Sequence, residues 1–362
     1  MARLAPRAGR NGWPDHHFMS FMLEEILDQP HSLRETLDAE RDHAAEFRKF
    51  ARRKGFRLIV LVARGTSDNA ALFGRYLLEL TTGIPVSLAA PSIHTLYKAR
   101  LDLRDALVVG VSQSGEGTDI NLVLKAARRS GAFTLGITNE SRSAMASLVD
   151  ELFLTRAGPQ RTVPATKTYT SQLLMFYLLA AALGRGIALS AVSEIPGRVE
   201  EALRLASQIR AHARHYRNLR HCAVVARGLN YANAYELSLK LMETCYVVAE
   251  RFSSADFAHG PVALVERHFP VIVFMPPGRV FEDLRKLVLR LHKLRADTLL
   301  ISSAGANLPP ASRVITLPGS IPEIYTPIPY IVPGQLFAAA LAEVKGLNPD
   351  EPRSLNIVTR TV

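Results

Sequence analysis

Apolar and polar positions along this chain follow a strand-then-helix rhythm. Between short apolar runs lie longer segments that are expected to be helices, at 68–80 and 168–183, and at 121–129 apolar residues recur at helical spacing. The short runs are rich in Val, Ile and Leu, which is typical of strands buried on both faces. They lie at 58–62, 86–89, 106–111, 134–137 and 152–154. This order predicts an α/β fold with a doubly wound, mainly parallel sheet of the flavodoxin-like type.

A second set of strands and helices begins near residue 204. The apolar run 222–226 is followed at once by Arg227-Gly228, and the run 58–62 is followed closely by Arg64-Gly65. Two later apolar runs continue the alternation, at 271–275 and 298–302. The same order of features in both halves predicts an internal repeat of about one whole domain.

The same patterns set the expected domain bounds. Residues 18–50 are expected to form one or two helices with a break at Pro30, and 184–204 to connect the two repeats. The prediction is a tandem arrangement of four parts: a helical segment, two α/β domains and a tail, at 1–44, 45–190, 204–340 and 341–362.

Composition narrows the class of protein. The net charge is +11, but no basic stripe with interleaved aromatic residues occurs, so we expect no nucleic-acid partner and a charge compatible with phosphate-bearing substrates. The apolar stretch 173–183 is too short to span a bilayer, and the basic residues within 1–13 are not followed by the apolar run that a secretory signal contains. Cys222 and Cys245 have no metal-ligand spacing. We therefore expect a cytoplasmic protein with no membrane partner, metal or cofactor.

Two polar loops follow predicted strands. Arg64-Gly65-Thr66-Ser67 follows the first strand, and Ser112-Gln113-Ser114-Gly115 follows the run 106–111. Ligands of doubly wound sheets bind at the carboxyl ends of strands where the strand order reverses, and turn amides at helix starts bind anions. An ordinary turn capped by Ser and Asp is the alternative. Since no P-loop lysine or spaced glycine fingerprint occurs, a phosphate bound here would belong to a small metabolite.

Six motifs in register resemble one family. From about residue 20 to the last residue, the chain resembles the SIS (sugar isomerase) enzymes that act on sugar phosphates, in particular the isomerase half of glucosamine-6-phosphate synthase and the SIS-type glucosamine-6-phosphate deaminases. The motifs are Gly-Thr-Ser at 65–67, Ser-Gln-Ser-Gly-Glu at 112–116, Ala-Thr-Lys-Thr-Tyr-Thr-Ser-Gln at 165–172, Glu-Leu-Ser-Leu-Lys-Leu-Met-Glu at 236–243, His-Gly-Pro at 259–261 and Asp-Glu-Pro-Arg-Ser-Leu at 350–355.

The resemblance implies a role for each matched residue. Glu243 would move a proton between C1 and C2 of the sugar, with Lys240 beside it to tune it. His259 would open the sugar ring and would come from a neighbouring subunit, which makes the protein a homodimer. The sugar phosphate would be held by Gly65, Thr66, Ser67, Ser112, Gln113, Ser114, Thr118 and Val163, with Asn356 in a tail that lies over the active site.

The residues by themselves support part of these roles. Lys240 and Glu243 are three positions apart in a helical segment, so they share one helix face. Without the motif they would be interpreted as a surface ion pair. His259, in a loop before Gly-Pro, would be interpreted as a turn residue.

Departures from the synthase pattern bear on the reaction. Where the family places a lysine that forms a Schiff base with the ketose, this chain has Ile357, which cannot form an imine. Gly117 and Ala165 stand where the pattern has hydroxyl residues, although Thr118 is adjacent. Ala2 follows Met1 where synthases carry a nucleophilic cysteine, so we expect this chain not to produce ammonia from glutamine.

These departures favour one reaction. An open-chain 2-amino sugar phosphate already carries its nitrogen at C2, so proton transfer from C2 to C1 gives an imine that water can hydrolyse without an enzyme lysine. The hypothesis is an amino-sugar phosphate deaminase and isomerase that converts glucosamine 6-phosphate and water into fructose 6-phosphate and ammonia. The alternatives are a ketosamine-6-phosphate deglycase and a sugar-phosphate sensor without catalytic activity.

Overall fold

A computed structural model describes residues 20–303 and 307–355 of the chain. These residues form two compact units. We call the first the first-sheet unit; it comprises residues 29–160, 167–196 and 355. The second-sheet unit comprises residues 20–28, 161–166 and 197–354.

Two helices open the described chain. Helix α1 is Phe21–Leu27 and helix α2 is Gln29–Lys54, and the break between them lies at Asp28. Pro30 is the second residue of α2, where its missing N–H removes no helical hydrogen bond. The helix therefore begins just before the proline that was expected to mark the break. Residue 45, the expected start of the first domain, lies inside α2.

The first-sheet unit contains a five-stranded parallel sheet. Its strands are β1 (Leu58–Val62), β2 (Val86–Leu88), β3 (Ala106–Val111), β4 (Phe133–Thr138) and β5 (Glu151–Leu154), in the order β2-β1-β3-β4-β5. Each neighbouring pair is parallel, and β3 is buried along its whole length. The helices that connect the strands and complete the unit after α2 are α3 (Thr66–Thr82), α4 (Ser92–Thr95), α5 (Thr118–Arg129) and α6 (Lys167–Leu183).

The second-sheet unit repeats this topology. After α7 (Leu189–Leu203) come α8 (Ala206–His215), β6 (His221–Ala226), α9 (Tyr231–Cys245), β7 (Val248–Ser253), α10 (Ser254–Ala258), β8 (Pro270–Phe274), α11 (Phe281–Lys293), β9 (Asp297–Ser302), β10 (Arg313–Thr316) and α12 (Pro327–Val344). The sheet is again parallel, in the order β10-β9-β8-β6-β7. Numbered within each sheet, both orders are 2-1-3-4-5, so the predicted fold of two tandem doubly wound sheets is confirmed.

Several elements are absent from the sequence-based prediction, among them β7, β10 and α7. Strands β7 and β10 lie at the edges of their sheet and are only partly buried, so they lack a continuous apolar run. Helix α7 occupies most of the expected connection 184–204 and contains Pro196, a residue that disfavours helix interiors.

The buried cores contain two free cysteines and a closely packed glycine. Cys222 on β6 and Cys245 at the end of α9 are both buried free thiols, and burial raises their pKa to about 12 and about 11. A Cβ on Gly74 of α3 would lie 2.3 Å from the ring of Phe176 on α6, so the glycine permits close packing of these helices.

Among the described helices, none has the length and apolar content needed to cross a membrane.

A histidine joins α2 to the edge of the first sheet. His43 Nδ1 lies 2.9 Å from Glu40 Oε2 and His43 Nε2 lies 2.8 Å from Glu151 Oε1 on β5. The buried Glu40 also accepts a bond from Arg156 Nε at 3.2 Å. Burial lowers the pKa of His43, but the two carboxylates outweigh it and the net pKa is raised above 6.5. Protonated His43 therefore stabilises the folded unit.

His43→Gln should lower the free energy of unfolding by about 1 kcal/mol at about pH 6, a value discounted for the partial exposure of the imidazole. Since the folded-state pKa is raised, this stabilisation is complete below the unfolded pKa of 6.5 and is lost as pH rises through the folded pKa. Urea unfolding at about pH 6 and about pH 9 measures it. His31→Gln, at an exposed position of α2, is the control. An equal loss for His43→Gln at both pH values would contradict the prediction.

Candidate active site

Two loops of the first-sheet unit lie where its strand order reverses. The chain leaves β1 toward β2 on one side and returns to β3 on the other side of β1. The loops after β1 and β3 therefore flank the topological switch point, where ligands of such sheets bind. The predicted phosphate-binding residues of this unit all lie in these loops or at the helix starts that follow them: Gly65, Thr66, Ser67, Ser112, Gln113, Ser114 and Thr118.

The loop after β3 is held by its own hydrogen bonds. The Gly115 N–H donates to Ser112 Oγ at 3.1 Å, and the Glu116 N–H donates to Ser114 Oγ at 3.2 Å. Gly115 has φ +65, and a Cβ there would lie 2.2 Å from Ser143 Oγ, so this turn requires glycine. Each serine oxygen accepts a bond from its own loop and still has its O–H to donate. The loop thus holds two hydroxyl donors in a fixed turn, as an anion site requires.

The loop after β1 is hydrogen-bonded to the start of α5, next to the loop after β3. Arg64 Nε donates to Asp119 Oδ2 at 2.6 Å, and Asp119 is buried in the first turn of α5, directly after the loop that follows β3. Ser67 Oγ accepts a bond from Gln172 Nε2 of α6 at 3.0 Å, and both residues are buried. Neither Asp119 nor Gln172 was predicted as a site residue. They position the loops, and only their places in the folded unit reveal that role.

Helix α9 of the second-sheet unit carries the predicted acid–base residues. Lys240 Nζ lies 2.6 Å from Glu243 Oε2 and 3.5 Å from Glu236 Oε1. The side chains of Lys240 and Glu236 are 0% exposed, whereas that of Glu243 is 17% exposed. Positions 236, 240 and 243 follow the i, i+4, i+7 spacing of one helix face. The expected pair is therefore a buried array of three groups, and Glu236 is a member that the sequence analysis did not identify.

The charge of Lys240 follows from its place in this array. Burial lowers the pKa of Lys240, but Glu236 and then Glu243 raise it by their negative charge and hydrogen bonds, and the net pKa lies above its usual value. Lys240 is therefore an ammonium at neutral pH. Glu243 is the member of the array with access to solvent.

His259 lies on a separate element of the same unit. It follows α10, its backbone N–H donates to Asp256 O at 3.1 Å, and its side chain is exposed. Gly260 after it has φ +146, a conformation open to glycine, and Pro261 begins a short 3-10 turn. This backbone turns the chain directly after the histidine.

Val163 belongs to the second-sheet unit through the segment 161–166. The buried Glu25 of α1 accepts bonds from the Arg161 N–H at 2.6 Å and from Thr162 Oγ1 at 3.1 Å. Helix α1 thus fixes the segment that carries Val163.

The described part of the tail runs from α1 to the end of α9. Asp350 accepts bonds from the N–H groups of Phe21 and Met22, at 2.9 and 2.8 Å, and so caps the start of α1. The Arg353 N–H donates to the Tyr246 hydroxyl at 3.2 Å, and its guanidinium lies 4.3 Å from the Tyr246 ring centroid. Tyr246 is three residues beyond Glu243 and ends α9 in a left-handed conformation. The predicted Asn356, and Ile357 after it, lie outside the described residues.

The structure thus places the predicted residues in two groups, one in each unit. The loop residues of the first-sheet unit form an arrangement suited to bind an oxyanion without a lysine. The array on α9 is suited to accept and return a proton. Within residues 20–303 and 307–355, no three or more His, Cys, Asp or Glu side chains are grouped to hold a metal ion.

Comparison with known proteins identifies the family. The SIS domain profile matches twice, at residues 56–182 and 215–340. The chain is 36% identical over 344 residues to the glutamine–fructose-6-phosphate aminotransferase (isomerizing) of Pyrococcus horikoshii. That alignment covers 92% of this chain and 56% of the relative, so the chain spans little more than half the length of that protein.

Solved structures share the fold over nearly the whole chain. The C-terminal domain of glucosamine-fructose-6-phosphate aminotransferase from Francisella tularensis superimposes with a TM-score of 0.84 at 25% identity, covering 94% of this chain and all of that one. Glucosamine-6-phosphate deaminase from Thermotoga maritima superimposes with a TM-score of 0.73 at 21% identity, over 94% of this chain and 99% of that one; at that identity it is a likeness of fold alone. The two parallel sheets and the two profile matches together show that this chain belongs to the SIS domain family.

Proposed function

We propose that this protein is an amino-sugar phosphate deaminase and isomerase that converts glucosamine 6-phosphate and water into fructose 6-phosphate and ammonia. One observation carries the proposal: the chain keeps the buried array on α9 but has Ile357 at the position of the Schiff-base lysine. An enzyme that joins ammonia to a ketose needs that lysine to activate C2. An enzyme that releases ammonia starts from a substrate that already bears nitrogen at C2.

Phosphate binding is assigned to the loops after β1 and β3. The Ser112 and Ser114 hydroxyls and the amides at the starts of α3 and α5 supply donors to a phosphate monoester. Helix-start amides bind an anion without a counter-cation, which accounts for the lack of a lysine in either loop. The Arg64–Asp119 pair keeps the two loops at a fixed spacing.

Proton transfer is assigned to Glu243. In the open-chain substrate, its carboxylate takes the proton from C2 and returns it to C1, while a second proton passes from the C2 nitrogen to the C1 oxygen. The C1 aldehyde and C2 amine thereby become a C1 hydroxyl and a C2 imine. Water adds to the imine carbon and ammonia leaves, so fructose 6-phosphate forms with no change of oxidation state overall. Lys240 compensates the charge of Glu236 and Glu243 and holds Glu243 by the 2.6 Å bond.

Ring opening is assigned to His259 of a neighbouring copy. Its exposed side chain, at the end of a short helix, can reach beyond its own subunit. The proposal therefore includes a homodimer in which each copy completes the site of the other.

Purified protein given glucosamine 6-phosphate without glutamine should release fructose 6-phosphate and ammonia in equal amounts. Glu243→Gln should lower the rate at least about a hundredfold, because the amide cannot accept the proton, and should leave substrate affinity within a few-fold. A coupled assay for each product and equilibrium titration of the substrate measure these quantities. Glu250→Gln, at an exposed position of β7, is the matched control.

Three results would redirect the proposal. Turnover of a ketosamine 6-phosphate but not of glucosamine 6-phosphate would assign a deglycase instead. Binding without turnover of either compound would assign a sensor. Unchanged turnover in Glu243→Gln would exclude this residue as the base.

Sodium borohydride added with fructose 6-phosphate should leave the protein mass unchanged, because Ile357 offers no amine for the imine that borohydride would reduce. Mass spectrometry of the intact protein measures the outcome. Ile357→Lys supplies the amine and is the positive control. A sugar adduct on any lysine of the wild-type protein would show that another residue replaces the family lysine, and the deaminase argument would fail.

Lys240→Met should lower the free energy of unfolding by about 3–5 kcal/mol, because it removes the ammonium that lies 3.5 Å from the buried Glu236 carboxylate. The double variant Glu236→Gln/Lys240→Met should recover part of that loss. Chemical denaturation of the three proteins measures it. Lys286→Met, at an exposed position of α11, should cost less than about 0.5 kcal/mol. A similar cost for Lys240→Met and Lys286→Met would contradict the charge-compensation role.

A further inference from the structure

The second sheet has its own switch point, built like the first. Its loops after β6 and β8 correspond, by strand order, to the loops after β1 and β3. Gly228 follows Arg227 with φ +60, as Gly65 follows Arg64 with φ +55. Within its own unit, a Cβ on Gly65 would meet no atom of the described residues within 4 Å. The loop after β1 therefore opens onto free space.

A carboxylate fills the corresponding place in the second sheet. Glu323 Oε2 accepts a bond from the Arg279 backbone N–H, in the loop after β8, at 2.5 Å. A Cβ on Gly278 would lie 2.3 Å from Glu323 Oε2, and a Cβ on Gly228 would lie 3.8 Å from Glu323 Oε1. One carboxylate thus lies against both loops of the switch point, and Gly278 leaves the space that it occupies.

The turn that carries Glu323 is fixed to these loops. Thr326 Oγ1 donates to Glu323 O at 2.7 Å, and Asn230 Nδ2, from the loop after β6, donates to Thr326 Oγ1 at 2.7 Å. Asn230 and Thr326 are both fully buried. The backbone of Glu323 is therefore held in place, and its side chain is directed into the space between the loops.

The local charge favours an anion. Arg227 and Arg279 adjoin the two glycines, and within residues 20–303 and 307–355 neither guanidinium lies within 4 Å of a carboxylate oxygen. Arg64, which holds the place of Arg227 in the first repeat, is paired with Asp119 instead. Two arginines that form no ion pair within the described residues therefore adjoin, in sequence, the glycines of the second switch point.

Glu323 occupies the position in the second repeat that Val163 occupies in the first. Glu323 stands four residues before α12, the last helix of the second repeat, and Val163 stands four residues before α6, the last helix of the first repeat. Val163 is among the residues expected at the sugar phosphate. The second repeat thus has a carboxylate where the first has an apolar residue.

We propose that the switch point of the second sheet is an oxyanion site that the protein fills with its own Glu323 carboxylate, so that only the first sheet of each chain binds a sugar phosphate. The ligand class that the loops accept in place of the carboxylate is a compact oxyanion, inorganic phosphate or a phosphate monoester. The statement about the first sheet rests on the proposed function, whereas the oxyanion site does not.

The test counts phosphate-binding sites on the full chain by equilibrium titration with inorganic phosphate at constant ionic strength. Glu323→Ala should bind one more phosphate per chain than the wild type. Glu323→Gln removes the charge but keeps the side chain in place, so it should bind the extra phosphate at least tenfold more weakly than Glu323→Ala. Glu266→Ala, which removes an exposed carboxylate of the same unit, should bind the wild-type number.

A further variant tests the arginines. Adding Arg227→Gln and Arg279→Gln to Glu323→Ala should weaken the extra site at least tenfold. The same number of sites in Glu323→Ala and the wild type, with the fold intact by circular dichroism, would overturn the proposal. Because the result is a difference between two proteins, failure of the first-sheet site would lower both numbers equally and would leave the difference unchanged.

Loss of stability in Glu323→Ala would also be informative. Phosphate should then raise its unfolding temperature toward that of the wild type, whereas sodium chloride at equal ionic strength should not. Equal effects of the two salts would overturn the proposal.

Discussion

Parallel pairing of every neighbouring strand is the constraint on which this structure depends. Parallel strands cannot be joined by a short turn, so each connection crosses a face of the sheet, usually as a helix, and all strands end at the same edge. With the order 2-1-3-4-5, the connections that leave the first and third strands of each sheet run to opposite sides at that edge. The loops that bear Ser67 and Ser114 in one sheet, and Gly228 and Gly278 in the other, are brought together by this topology and not by closeness in sequence.

Much of the fold could be predicted because burial on both faces leaves a simple pattern. β3 and α6 read directly as apolar runs, since nearly every position of each is buried. Edge strands β7 and β10 could not be read in this way, because one side of each meets solvent. In α7, tertiary packing outweighs the local preferences of Pro196 and Gly197, which a single sequence cannot reveal.

The candidate site could likewise be predicted only in part from the sequence. The spacing of Lys240 and Glu243 predicts that they share a helix face, and the structure pairs them at 2.6 Å. Whether such a pair is exposed or buried depends on what covers the helix, so the complete burial of Lys240 and the participation of Glu236 could not be foreseen. Gln172 is a clearer case. It supports Ser67 from 105 positions away, and only the folded unit brings the two together.

The cap on α1 has a consequence for the order in which the parts of the protein fold during synthesis. This helix has seven residues, too few to be stable in water alone, and its first N–H groups are satisfied by Asp350, 329 residues further along the chain. During synthesis α1 therefore precedes its capping residue by the strands of both sheets. Helix α1 can therefore be completed only after the strands of both sheets have been synthesised, and only then can it fix the segment 161–166.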